Sequence, residues 1–284
     1  PENDYKELIK IWEIKIRGKK TSEILFGSHG SLGHWVQEQF GQGLDSDKDA
    51  DWRGLEIKTG RQKMSFGDWG PSRWMMTKNR GQSNEKTGLY PDVIDNQDQF
   101  VRMFGKPITT ESVRYKRKKE GNLKVGSKAY IEKKESLLGR YSWSSTCPKV
   151  GKYNSGGSKL VVKSDNSIEV IYRFDEDQRL NKSELVDKRF HTGTITLARW
   201  EESKLDDHVT RKFGQKGWVK FVEKNGIYVE MQLFAPITLT VFLQWVKDGL
   251  VVFDTAMYEG NNRPYCQFRS QNSDIAQFAY KVLR

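Results

Sequence analysis

The run Asp51-Trp52-Arg53-Gly54-Leu55-Glu56-Ile57-Lys58 brings two carboxylates and an ammonium close together in sequence. That set suits phosphodiester hydrolysis, which needs a divalent cation to neutralise charge on the phosphorane and to activate water. Oxygen ligands favour Mg²⁺, and two carboxylates usually suffice beside phosphate and water. Residues 54–59 read as a strand, with Leu55 and Ile57 on one face and Glu56 and Lys58 on the other. Asp51 sits at the preceding turn, close enough to share an ion with Glu56. Asp51, Glu56 and the neighbouring Ile57 are the expected metal contacts. Lys58 lies roughly 7 Å along the strand from Glu56. An ammonium there can orient or help deprotonate the attacking water and offset charge in the transition state.

A Glu-x-Lys triplet is by itself a weak signal, because a solvated strand face with an ordinary ion pair has the same pattern. Here apolar residues flank the triplet and an acidic turn precedes it. A second match, Pro91-Asp92 with Glu132-Lys133-Lys134, spells the nuclease signature literally. It lies in a Lys-dense stretch without a buried-strand pattern and reads as surface charge.

Composition supplies the partner. Lys and Arg number 48 against 37 Asp and Glu, a net charge of +11 in 284 residues. A surplus of that size favours a polyanion, since neutralising phosphates releases counterions. Aromatic residues make up 12% of the chain, with nine Trp, which argues against disorder despite the polarity. Cys147 and Cys266 have no zinc-site spacing, and two free thiols suit a reducing cytoplasm. No apolar run reaches membrane-spanning length. The length allows one large core or two modest ones.

The elements that must position the site follow from periodicity. Helices are expected at 3–17 (Tyr5, Leu8, Ile9, Trp12, Ile16) and 32–41 (Leu32, Trp35, Val36, Phe40). Residues 60–157 read as loops and short elements, including the basic run Lys116 to Lys119, suited to phosphate steering. Strands are expected near 158–163, 167–174, 192–200, 217–222 and 227–234, with turns at Asp165-Asn166 and Lys224-Asn225-Gly226. A helix at 238–248 ends at Gly249, a hairpin spans 250–258 and 263–270, and a last helix covers 273–283. The fold class is α/β, in a mixed α+β arrangement. Residues 1–157 are read as a catalytic lobe and 158–284 as a β-rich lobe.

At these motifs the chain resembles the MutH-like restriction endonucleases, of the MvaI/BcnI type within the PD-(D/E)xK superfamily. That family carries a glycine-started helix, a polar turn, and an Asp-aromatic-x-x-aliphatic-Glu-x-Lys-Thr run. Gly33 and the stretch from Asp51-Trp52 to Thr59 correspond. Near the C-terminus, Leu239-Thr240-Val241 and Gly249 to Asp254 are similar to the family's helix-turn-strand. Tyr265-Cys266-Gln267-Phe268-Arg269 is similar to the Tyr-x-Gln-x-Arg strand of MutH. The resemblance implies a central mixed β-sheet flanked by helices and two lobes around a DNA cleft. It also implies Mg²⁺-dependent, sequence-specific cleavage of double-stranded DNA, with Asp51, Glu56 and Lys58 catalytic. The helix Glu that such enzymes offer to the site falls here on Gln37, with Glu38 beside it. The lysine or histidine after the catalytic strand has Lys63 as its nearest counterpart. Where MvaI-type enzymes carry an Arg after the acidic residue, this chain has Ala256, which implies a different recognition sequence.

Candidate DNA contacts are Lys63, Arg73, Asp254, Asn262, Arg263, Tyr265, Gln267 and Arg269; hairpin-tip Asn residues also serve turns without any ligand. Trp69 and Trp74 can stack on DNA or pack in a core. His29, His34, His191 and His208 are too scattered for a metal cluster. Two alternatives stay open: a requirement for or sensitivity to base methylation, and a non-catalytic DNA-binding protein with 238–270 as a winged-helix-like reader. Monomer and homodimer are equally compatible with the sequence.

Overall fold

The strand that follows Asp51 joins a mixed four-stranded sheet. In the computed structural model the described residues are 2–24, 31–41, 49–59, 63–76, 94, 96–110, 138–143, 148–255, 257–261 and 265–284. They form two compact units, each assembled from separated stretches of chain. Unit one holds 1–66, 202–251 and 269–284; unit two holds 67–201 and 252–268. The boundary expected near 157 thus lies inside unit two.

The sheet of unit one runs in the order Glu56–Thr59, Trp218–Lys224, Ile227–Phe234, Ala279–Leu283. The first pair is parallel, with Glu56 opposite Trp218 and Lys58 opposite Lys220. The remaining pairs are antiparallel. Asn225 and Gly226, at φ 52° and 80°, make the two-residue turn between the second and third strands, the conformation that an Asn-Gly pair favours. Alternation along the strands gives the sheet two different faces.

On one face, Ile57, Val219, Phe221, Met231 and Leu233 are buried against Leu8, Trp12, Ile16, Val36 and Phe40. These come from the Glu2–Ile11 helix, the π-helical turn Trp12–Ile16 that follows it, and the stretch from Ser31–Gln39 to Phe40. The expected single helix over 3–17 therefore changes character at Trp12. The wider turn, closed by Arg17 N–H donating to Trp12 O, leaves both Trp12 and Ile16 fully buried. The other face carries Glu56, Lys58, Trp218 and Lys220. Trp218 packs there on Phe213 and Trp245, from the helices Glu202–Phe213 and Leu239–Lys247. The second of these helices ends as expected. Gly249, at φ 74°, donates to Val246 O and Leu250 to Trp245 O, a Schellman pair.

Lys220 is 1% exposed on this second face, and burial lowers its pKa from 10.5 to about 8 against the opposing pull of Glu230. A lysine whose folded pKa is depressed costs stability wherever it must be protonated. The penalty is complete below pH 8, shrinks as pH rises, and is gone above 10.5. Lys220→Met is accordingly expected to stabilise the protein at pH 7 by about 3 kcal/mol. The gain should fade between pH 8 and 10.5. Urea unfolding of both proteins at several pH values measures it, and a pH-independent difference would contradict the account.

One C-terminal expectation is corrected. The helix at 273–283 is only Asn272–Ala276, and Ala279–Leu283 is a strand paired with Ile227–Phe234. The sheet edge offers four of those five residues a backbone partner, with a bulge at Tyr280, and this outweighs their weak helical periodicity.

Unit two contains an antiparallel sheet ordered Arg73–Trp74, Ile195–Trp200, Ile168–Asp177, Gly156–Val162. Its core is aromatic. Trp143 meets Phe100 and Phe253 edge-on, and Trp200 meets Phe253 and Phe268. Trp69 and Trp74 belong to this core, at 1% and 5% exposure, so packing rather than stacking on DNA takes them. The helix Gln97–Phe104, unread in the sequence, is capped by the Asn96 side chain accepting from Gln99 N–H. Among the described residues no helix is long and apolar enough to cross a membrane.

Candidate active site

The spacing between Asp51 and Glu56 has a local cause. Trp52 and Leu55 exchange both backbone hydrogen bonds, at 3.0 and 2.8 Å, and enclose a two-residue turn. Arg53 and Gly54 take positive φ, 48° and 85°, as a type I′ turn requires. A Cβ on Gly54 would come within 2.6 Å of Gln215 Oε1, the movable end of a side chain, so it is the positive φ that favours glycine here. Asp51 and Glu56 are the next residues outward on either side, which brings them near each other. The strand is held to the 214–217 turn by Lys216 N–H donating to Gly54 O and Glu56 N–H to Gly217 O. Arg53 is anchored by Asp4 and Glu7, each at 2.8 Å, and its guanidinium lies over Trp52.

Both Asp51 oxygens are oriented. Oδ2 accepts from Ile57 N–H at 2.8 Å and Oδ1 from Gln37 Nε2 at 2.7 Å. Gln37 therefore reaches the carboxylate from its helix, while Glu38 faces solvent. A carboxylate with two such bonds keeps further lone pairs for a cation. Burial, then the Glu56 charge, raises the Asp51 pKa; the Ile57 N–H, Lys58 and Lys212 act the other way.

Glu56 is 1% exposed. Its Oε1 accepts from Lys58 Nζ at 2.5 Å. Lys212 Nζ spans both oxygens, at 3.1 Å to Oε1 and 3.3 Å to Oε2. Lys58 also lies over the Phe213 ring. Two ammonium groups thus balance a carboxylate that could not stay charged in the interior alone.

Lys212 escaped the sequence reading because its helix did. The signal was present: Leu205, His208, Val209 and Phe213 are buried at helical spacing, with Glu202 in the first turn and Arg211 and Lys212 in the last. Its contact with Glu56, 156 residues away in sequence, had no local signature.

Among the described residues no third acidic, histidine or cysteine side chain joins Asp51 and Glu56. Two carboxylates beside a main-chain carbonyl still form a hard oxygen donor set. That fits Mg²⁺, which keeps several waters and takes few protein ligands. The fit rests on the chemistry of the donors, two carboxylates near enough that the Glu56 charge raises the Asp51 pKa.

Of the other expected residues, Lys63, Asp254, Gln267 and Arg269 lie on the strands of one three-stranded sheet, ordered Val251–Thr255, Cys266–Gln271, Lys63–Asp68. Lys63 begins the strand Lys63–Asp68 and is partly exposed. Arg73 is exposed and 3.7 Å from Glu201. Asp254 is buried. In the strand Cys266–Gln271, Cys266, Phe268 and Ser270 are buried while Gln267 and Arg269 are partly exposed on the opposite side. Tyr265, just before it, is partly exposed. Asn262, Arg263, Ala256, Cys147, His29, Lys116 to Lys119 and the Pro91-Asp92/Glu132-Lys134 match lie outside the described residues.

Comparison with known proteins gives three findings. The family described as LlaMI restriction endonuclease matches residues 16–131 and 128–282. The type II restriction enzyme ScrFI of Lactococcus lactis subsp. cremoris is 31% identical over 288 residues, covering 94% of this chain and 93% of that enzyme. Two solved structures of the restriction endonuclease MvaI also align. The complex with cognate DNA substrate has a TM-score of 0.48 at 12% identity, covering 91% of this chain and 89% of that one. The DNA-free form has a TM-score of 0.41 at 11% identity, covering 89% and 87%.

Proposed function

The chain belongs to the LlaMI restriction endonuclease family, and from that premise we propose that it hydrolyses double-stranded DNA in a Mg²⁺-dependent reaction at Asp51, Glu56 and Lys58. It is a site-specific deoxyribonuclease of type II; the metal and the residues are the proposed part. One observation carries the assignment: a two-residue turn closed by Trp52 and Leu55 returns Asp51 to the Ile57 N–H, beside Glu56, to which Lys58 donates.

Asp51, Glu56 and the Ile57 carbonyl would hold a divalent cation, which when bound would supply charge neutralisation at the phosphate and lower the pKa of water. The protein's own groups do the rest. Gln37 and the Ile57 N–H fix the Asp51 carboxylate so that it need not reorient during the reaction. Lys58 positions the water and offsets negative charge as it develops on the phosphate. The anchored turn at Arg53-Gly54 keeps the carboxylates from drifting apart.

DNA contacts are proposed for Lys63, Arg73, Tyr265, Gln267 and Arg269, with Asn262 and Arg263 beside them in sequence; Asp254, 8% exposed, belongs to the interior instead. Gln267 and Arg269 share one side of their strand. Their side chains match adenine and guanine edges in the major groove. The net charge of +11 provides the sequence-independent attraction to phosphate.

The test is digestion of methylated and unmethylated plasmid with Mg²⁺ and with EDTA, followed by sequencing of the ends. Discrete fragments with a common terminal sequence are expected only with Mg²⁺. Comparison of the two plasmids reports any dependence on base methylation. Undigested DNA in both, or digestion unaffected by EDTA, would overturn the metal-dependent reading.

A further inference from the structure

Lys212 raises a problem for any metal at Glu56. The carboxylate offers about four lone-pair directions. Lys58 uses one on Oε1, and Lys212 uses one on each oxygen. The direction left open lies on Oε2, which among the described residues accepts from Lys212 alone. A dication ligated there would stand beside an ammonium in a buried site, where like charges are poorly screened. The formal charges of Asp51, Glu56, Lys58 and Lys212 cancel, so the four groups together exert no net pull on a cation.

We propose that Lys212 gates metal binding: in the DNA-free enzyme its ammonium holds Glu56 against the divalent ion, and it must leave the carboxylate before the ion is ligated. The inference rests on Asp51 and Glu56 being the metal carboxylates. The side chain is placed for such a movement. Lys212 sits in the last turn of Glu202–Phe213, and its side chain is 17% exposed where that of Glu56 is 2%. Lys58 leaves Oε2 untouched and can stay on Oε1 throughout. An incoming DNA phosphate supplies a new anionic partner for the displaced ammonium, and it also compensates the charge that the ion brings. Ion and DNA then bind cooperatively, and the enzyme without DNA carries little metal.

The experiment is Mn²⁺ titration of the full-length, DNA-free protein by calorimetry, with folding checked by thermal melting. Lys212→Met is expected to bind Mn²⁺ about tenfold or more tighter than wild type, the scale of one close charge pair. Lys212→Gln keeps a hydrogen-bond donor without the charge and should fall in the same direction. Adding Glu56→Gln to either variant should remove the gain. A merely structural role for Lys212 would weaken binding when lost, so unchanged or weaker Mn²⁺ affinity in both variants overturns the gate. If Asp51→Asn and Glu56→Gln leave cleavage intact, the metal assignment itself fails. If those two abolish cleavage while the Lys212 variants bind Mn²⁺ like wild type, the gate alone fails.

Discussion

Glu56→Gln and Lys58→Met are each expected to slow Mg²⁺-dependent plasmid cleavage by about 10²–10³-fold or more, with DNA binding retained. Glu56 is the buried carboxylate on which Lys58 and Lys212 converge, so a neutral amide there removes the charge that would hold the cation. Lys58→Met removes an ammonium but leaves Lys212 paired with Glu56, so the buried carboxylate keeps one counter-ion while the water loses its positioning group. The two substitutions therefore separate chemistry from stability. Glu56→Gln leaves two lysines around a neutral amide and should melt earlier than Lys58→Met. Single-turnover cleavage rates, gel-shift affinities and melting curves on the same preparations check all three points. Cleavage within twofold of wild type in both variants would sink the site.

The second large effect lies far from the chemistry in sequence. Arg179 and Asp177 form a buried ion pair in unit two, with Arg179 Nε at 3.0 Å from both Asp177 oxygens. The same guanidinium donates to Gly105 O at 2.6 Å and Met103 O at 2.8 Å, carbonyls at the end of the Gln97–Phe104 helix. Tyr172 OH completes the shell of Asp177 at 2.9 Å. Arg179→Met is expected to destabilise the protein by about 3–5 kcal/mol, because it strands a buried carboxylate and two helix-end carbonyls. Asp177→Asn with Arg179→Met should recover part of that loss, since no charge is left unpaired.

The pH dependence follows from the ion pair. Burial tends to raise the Asp177 pKa, but the Arg179 hydrogen bonds outweigh it and hold the carboxyl below its usual 3.8. A carboxylate with a depressed folded pKa contributes stability above its unfolded pKa and loses it as pH falls through the folded value. The gap between wild type and Arg179→Met should then narrow below pH 3.8. Denaturant unfolding from pH 7 down to 3 measures it, and a constant gap would exclude this account.

The legible parts of the site were those with a short-range cause. Asp51 and Glu56 could be paired from sequence because a two-residue turn joins them, and Lys58 because strand alternation puts it beside Glu56. The turn at Asn225-Gly226 and the stop at Gly249 were readable for the same reason, since few residues accept positive φ. Gln37 could be placed only by resemblance; the structure shows which of the two neighbours reaches Asp51.

What could not be read depended on partners far along the chain. Residues 279–283 looked helical until the strand at 227–234 offered them an edge. Trp69 and Trp74 had two plausible fates, and only the assembled aromatic core chose between them.

By itself, then, the sequence determined the chemical inventory of the site and its local geometry, because dihedral limits and strand alternation act over a few residues. Tertiary structure alone decided how the buried charge of Glu56 is balanced. A carboxylate removed from water takes its counter-ions from wherever the chain returns, and the second one here comes from a helix 156 residues on.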